Sequence, residues 1–216
     1  MRLKRIDGRI ATVNAVKGFD YFGDGLVSVG GEECRFFNPS RSKLAAALVR
    51  ELPVEFGGSE AVLYLGAAHG YTVSHVCNLV PSGVVYGVEF SPRCFAEFLP
   101  VCKKLRNAVP IFADARKPVY SWVGAVDVVF SDLAQPDQTE IALRNADLFL
   151  RPGGTLMVAI KARSIDVTRS PKKVCASEIE KLKSRGYRVV SWDMLDPFER
   201  DHGFVIARKE ASPPSS

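Results

Sequence analysis

No CxxC pair occurs in the chain, and its five cysteines (Cys34, Cys77, Cys94, Cys102 and Cys175) are odd in number. Neither a disulfide framework nor a zinc site is therefore indicated. The thiols read as small hydrophobes buried on helices or strands, which fits a reducing cytoplasm. No apolar run approaches the ~20 residues that span a bilayer, and the opening stretch MRLKRIDGRI has no apolar core of a signal peptide. The expectation is a cytoplasmic protein with no membrane partner. Neither G-x-G-x-x-G nor G-x-x-x-x-G-K-[ST] is present, so neither a pyrophosphate fingerprint nor a P-loop can be assigned.

What is present is an ordinary globular balance. Hydrophobic residues make up 47% of the 216 and charged residues 25%, which argues against disorder and leaves room for one medium domain with a small appendage. The net charge is +5, and the excess lies after residue 150. A basic surface suits a polyanion such as RNA. A solvated, lysine-rich face has the same composition, and charge alone does not separate the two.

Residues 1 to about 38 are rich in glycine and β-formers, with turns at Asp24-Gly25 and Gly30-Gly31. They predict short hairpin strands, too few to hold a core alone. After Asn38-Pro39-Ser40, the stretch SRSKLAAALVREL predicts a helix with Ser40 as N-cap and Lys43 in its first turns. The expected units are a β-rich region plus linking helix over 1–55, a larger domain over 56–210, and a loose tail over 211–216.

From residue 61, strands and helices alternate. AVLYL, VVYGV, VPIF, VDVVFS and TLMVAI read as strands; YTVSHVCNLV, PRCFAEFLPVCKKLRN, DQTEIALRNADLFL and SPKKVCASEIEKLKSRG read as helices. Pro100 should kink or split the second helix. Pro152-Gly153-Gly154 should end the third, and Gly186 should cap the fourth. YRVVSWDML and HGFVIARK complete seven strands. The fold class is α/β, a Rossmann-like domain with a mostly parallel seven-stranded sheet covered on both faces.

Such sheets bind ligands at the carboxyl ends of their strands. Those ends carry Gly66, Glu89, Asp114, Asp132 and Lys161. Each alone is an ordinary turn residue; together they describe a polar crevice. The loop GAAHG lets bare backbone approach a ligand, and Glu89, about 20 residues on, stands where ribose hydroxyls are held. S-adenosylmethionine (SAM) offers a ribose and a base without a phosphate and fits this pattern. A doubly wound domain for another nucleotide is the alternative. Glu89 would hold the ribose, Asp114 and the Ala115 backbone the adenine. In FSDLAQPDQ, Asp132 and Gln135 would face the methionine end, and Asp137 would cap the next helix.

Methyl transfer from a sulfonium to a hydroxyl is an in-line displacement. It needs the acceptor held close and its proton removed. A lysine takes that proton only where burial or a second cation disfavours its charged form. Lys43, Asp132 and Lys161 supply two lysines about one aspartate, and His202 in PFERDH is the candidate fourth member. Taken singly, Lys43 reads as a surface lysine and His202 as a structural histidine. His69 could line the cofactor pocket.

Seven segments, NPSRSKLAAAL, VLYLGAAHGYTVSHV, VYGVEFSPR, DAR, FSDLAQPDQ, GGTLMVAIKARSID and PFERDH, resemble the fibrillarin family in its short archaeal form, in order over nearly the whole length. The resemblance implies a SAM-dependent methyltransferase that carries out guide-RNA-directed 2′-O-methylation of ribose in rRNA and tRNA. It implies cofactor contacts at Tyr71 and Thr72, Glu89 and Phe90, Asp114 and Ala115, and Asp132, Leu133, Ala134 and Gln135, beside Gly66. The catalytic group it implies is Lys43, Asp132, Lys161 and His202. The implied setting is a box C/D ribonucleoprotein with a Nop5-type scaffold protein, an L7Ae-type kink-turn protein and a guide RNA.

Two segments depart from the family pattern. His69-Gly70-Tyr71-Thr72 stands where a small residue and Gly-Thr-Thr are usual, which would set two rings near the cofactor. Phe37-Asn38-Pro39-Ser40 replaces a more usual Trp-Asp/Asn-Pro-Tyr/Phe. A competing reading is a non-catalytic assembly subunit of the same kind of particle, its altered loop no longer holding SAM. A nicotinamide-dependent dehydrogenase is disfavoured by the absent fingerprint.

Overall fold

Short alternating strands at the N-terminus build a sheet of their own. In the computed structural model, which describes residues 2–210, strands β1 (Leu3–Ile6), β2 (Arg9–Val13), β3 (Leu26–Val29) and β4 (Glu32–Phe36) pair antiparallel in the order β1-β2-β4-β3. Ala11, Val13 and Cys34 form its small apolar patch. Helix α1 (Lys43–Val49) links it onward. Its cap is Ser42, not Ser40: Ser42 Oγ accepts from Ala45 N–H, while Ser40 sits in a turn closed by the Asn38 side chain. The last six residues, expected as a tail, lie outside the described residues.

In β5 (Ala61–Leu65), Val62 and Tyr64 face one side and Leu63 and Leu65 the other, and all four are buried. A strand apolar on both faces belongs in the middle of a covered sheet. It is followed by α2 (Tyr71–Leu79), β6 (Val84–Glu89), α3 (Pro92–Lys104), β7 (Ala108–Phe112), β8 (Val126–Ser131), α4 (Gln138–Phe149), β9 (Leu150–Lys161), α5 (Ala162–Ile165), α6 (Pro171–Ser184), β10 (Tyr187–Met194) and β11 (His202–Lys209). The seven strands run in the order β10-β11-β9-β8-β5-β6-β7. Strands β5 to β9 are parallel; β11 pairs antiparallel with both β9 and β10. The chain steps outward from β5 to β7, then returns to β8 on the other side of β5. That reversal opens a crevice at the carboxyl ends of β5 and β8.

Three local expectations are corrected. Pro100 does not split α3. It lies on the solvent side, where the Ala96 carbonyl it leaves unpaired is open to water, and buried Phe98 and Val101 hold the helix on the sheet. Helix α4 already ends at Phe149, and Pro152-Gly153-Gly154 falls within β9, where the pairing with β8 shifts register. Asp137 occupies the N-cap position of α4, but its carboxylate faces Arg116 at 3.4 Å instead of capping.

A buried polar network joins the small sheet to α2. Asn78 Nδ2 donates to Thr12 Oγ1 (2.9 Å). The Thr12 hydroxyl lies 2.9 Å from His75 Nδ1, and the ring's Nε2 lies 3.7 Å from Asp24 Oδ2. Asp24 Oδ1 accepts from the Tyr71 hydroxyl (3.0 Å) and from Arg41 (3.1 Å), and buried Arg35 donates to Ser74 Oγ (2.6 Å). Burial holds the His75 imidazole neutral and pushes its pKa down to about 3, from the ordinary 6.5. The unfolded chain therefore takes up a proton below pH 6.5 that the folded chain refuses. Stability falls as pH drops from about 6.5 toward 3, at ~1.4 kcal/mol per unit. The Tm of the protein should drop between pH 6.5 and 4.5, and should drop less in His75→Gln. Equal drops in the two proteins would place the acid lability elsewhere.

Candidate active site

Each of the five parallel strands, β5 to β9, ends by delivering a chemically useful residue to the crevice. Gly66, Glu89, Asp114, Asp132 and Lys161 all line one cavity of about 400 Å³. Phe90, Ala115, Leu133, Ala134 and Gln135, also expected there, line it too. The cavity wall thus carries three carboxylates against one ammonium. That balance suits a ligand with a cationic centre and disfavours a pyrophosphate. Gly66 has φ +85°, and a Cβ there would lie 2.9 Å from the Asp132 carbonyl oxygen. Bare backbone is therefore required at this point. Glu89 is buried, with Oε2 accepting from Ala68 N–H and Oε1 from Ser91 N–H, both at 2.8 Å. Each oxygen keeps a further lone pair for a ligand hydroxyl.

Beside the cavity stands an ion cluster. Lys161 Nζ lies 3.2 Å from Asp132 Oδ1 and donates to the Asp132 carbonyl at 3.1 Å. Lys43 Nζ lies 3.8 Å from the same Oδ1 and 3.6 Å from Glu199 Oε1. Oδ1 itself accepts no well-directed hydrogen bond and is closed to water. Side-chain exposures of 16% for Lys43, 14% for Asp132 and 18% for Lys161 make this a desolvated cluster, where charges couple strongly.

Several neighbours hold the cluster in place. Tyr64 OH donates to Asp132 Oδ2 at 3.3 Å; burial first, and the Asp132 charge second, push its phenol well up, so it stays a donor. Buried Gln138 accepts from Lys161 N–H (2.8 Å) and donates to Lys161 O (3.3 Å), which fixes the end of β9. Thr72 Oγ1 donates to Ser42 Oγ (3.0 Å), tying the start of α1, and so Lys43, to α2.

Four residues expected at the site are placed differently. Tyr71 and Thr72 are not part of the cavity wall. The Tyr71 ring turns toward the small sheet, packs edge-on against Phe22 and reaches Asp24. His69 is exposed, near Phe22, and also lies outside the cavity wall. His202 is the cross-strand partner of Lys161, yet its ring lies against the Arg200 carbonyl (2.6 Å) and within 3.9 Å of Glu199. Glu199, three residues earlier in PFERDH, is the group that reaches Lys43.

A sequence profile of the Fibrillarin family matches residues 1–211. The chain belongs to the fibrillarin family. A Sulfurisphaera tokodaii relative, named as a fibrillarin-like rRNA/tRNA 2′-O-methyltransferase, is 48% identical over 206 residues, covering 93% of this chain and 88% of its own. The Aeropyrum pernix fibrillarin, solved with natively bound S-adenosyl-L-methionine, superimposes with a TM-score of 0.83 at 43% identity, over 96% of this chain and 98% of its own. A fibrillarin from a complex with Nop5p gives 0.89 at 36% identity, over 96% and 97%. Glu199, Tyr64 and Gln138 also belong to the site, although the sequence alone did not point to them. A lone tyrosine in the aliphatic run AVLYL was the available signal for Tyr64; Gln138 and Glu199 had none beyond lying in or beside the quoted segments.

Proposed function

We propose that the chain transfers the methyl group of SAM to the 2′-hydroxyl of a ribose in RNA, as the catalytic subunit of a box C/D ribonucleoprotein. The observation that carries this is the position of Asp132, whose residue lines the cavity and whose Oδ1 lies within 4 Å of both lysines. SAM supplies an electrophilic methyl when bound. Glu89 holds its ribose, Asp114 and Ala115 its adenine beside the exposed Phe90 ring, and Gln135 with Leu133 and Ala134 its amino-acid end. In its neutral amine form Lys161, nearest the cavity, accepts the hydroxyl proton and becomes the ammonium that faces Asp132. Asp132 orients Lys161, and Lys43 with Glu199 balances charge on the acceptor side.

Guide RNA selects the nucleotide in rRNA or tRNA, with a Nop5-type scaffold and an L7Ae-type protein completing the particle in the cytoplasm. The Tyr71 ring, turned to Asp24, leaves the cavity open and favours catalysis over a purely structural subunit. Calorimetry separates these readings. SAM should bind with a defined stoichiometry and NADH should not. Silence at millimolar SAM would leave only the assembly role. Gly66→Ala should weaken SAM binding by about tenfold or more, because the methyl must push the Asp132 backbone out of the wall; unchanged affinity would mean the loop yields without cost.

A further inference from the structure

A second cleft, of about 300 Å³, opens beside the catalytic cluster between the small sheet and the β10–β11 connection. Phe36, Phe37, Phe198 and Val49 give it apolar walls, and Arg9 and Asn38 are its polar lining residues. It contains no acid. The Arg9 guanidinium lies 3.5 Å from the centroid of the Phe36 ring. Among the described residues it has no carboxylate within salt-bridge distance and donates no hydrogen bond, so the stack holds a cation whose five donors are free. Phe198 precedes Glu199, which reaches Lys43 at 3.6 Å, and Pro39 lies four residues before Lys43. Two segments that line the cleft therefore run on directly into the lysine cluster. Arg200, two residues after Phe198, is exposed and likewise has no ionic partner among the described residues.

We infer that this cleft receives the base of a nucleotide flanking the one that is methylated. The inference rests on the reading of the chain as an RNA methyltransferase and adds a second point of contact to it. Single-stranded bases are held by stacking on aromatic rings and on arginine planes, with basic side chains on the phosphates. Arg9 on Phe36 presents such a plane, Phe198 bounds the space beside it, and the exposed Arg200, two residues further along the chain, offers a free cation for a phosphate. At the lower limit of the size of ligand sites, the cavity takes one ring system and little more. A protein segment would also bury apolar surface there, but the unpaired guanidinium and the absence of any acid match a polyanion with planar groups.

The test uses the assembled particle and an RNA carrying 4-thiouridine next to the target nucleotide. After irradiation, the crosslinked peptide should contain residues 8–10, 36–39 or 198. Arg9→Ala should raise the KM for RNA about tenfold, the value of one lost base stack, with kcat within about twofold and SAM affinity unchanged. Arg9→Lys should not restore the KM, because charge without a plane cannot stack. An abasic nucleotide at that position should raise the KM of the unaltered protein equally, and its combination with Arg9→Ala should cost no more than either change alone. Crosslinks confined to other surfaces, occupation of the cleft by the scaffold protein, or fully additive effects would each overturn the inference. SAM binding is read separately on the same proteins. Its loss would sink the methyltransferase reading, while the crosslink would still report whether a base sits in the cleft.

Discussion

Lys161→Ala is expected to slow methyl transfer by roughly 10²–10⁴-fold, the range for a positioned acid or base, while SAM still binds. The size of the loss follows from where the Lys161 amine sits. It touches Asp132 through both the side chain (3.2 Å) and the carbonyl (3.1 Å), and Gln138 fixes its peptide on both sides. Among the described residues no other lysine lines the cavity, so no second amine there can take its place. Asp132→Ala should be as severe, because it leaves two desolvated lysines without their shared counter-charge. The double variant should be little worse than either single one, since groups that act as a unit lose their effect once. Single-turnover rates at saturating SAM check this. A Lys161→Ala protein within a few-fold of the unaltered rate would remove Lys161 from the chemistry.

Glu89→Ala is expected to cost about 100-fold or more in SAM affinity, the worth of hydrogen bonds from ligand hydroxyls to a buried carboxylate. The conservative Glu89→Gln should fare nearly as badly. Both carboxylate oxygens already accept from backbone N–H groups, Ala68 on one and Ser91 on the other. An amide of the same shape would turn its own N–H₂ toward one of those donors. Titration calorimetry of both variants distinguishes this from a role in shape alone, in which Gln would bind nearly as well as Glu.

Much of the site was legible because a parallel sheet gives position a meaning. A residue that ends an apolar strand must lie at the crevice, and Gly66, Glu89, Asp114, Asp132 and Lys161 could be read from that rule. Side-chain direction was less accessible. The Tyr71 ring was expected near the cofactor because the family resemblance put a contact at that position. It turns away because Asp24 and Phe22, almost fifty residues earlier, offer a hydroxyl acceptor and an aromatic face. His202 and Glu199 lie in the same short motif. Which one meets Lys43 is decided by how the β10–β11 connection folds back, a non-local feature with no period in the sequence. The Ser40 cap failed for a simpler reason: Asn38 closes a turn on Ser40, and the helix begins two residues later at Ser42.

The most direct measurement is the fate of a labelled SAM methyl in a reconstituted particle programmed with a guide-matched RNA, digested to nucleosides. The label should appear on the ribose 2′-oxygen of the single guide-selected nucleotide, and should vanish with Lys161→Ala or Asp132→Ala while SAM remains bound. Label on a base, label at unselected nucleotides, or undiminished transfer by either variant would contradict the assignment of Asp132 as the point where cofactor and lysines meet.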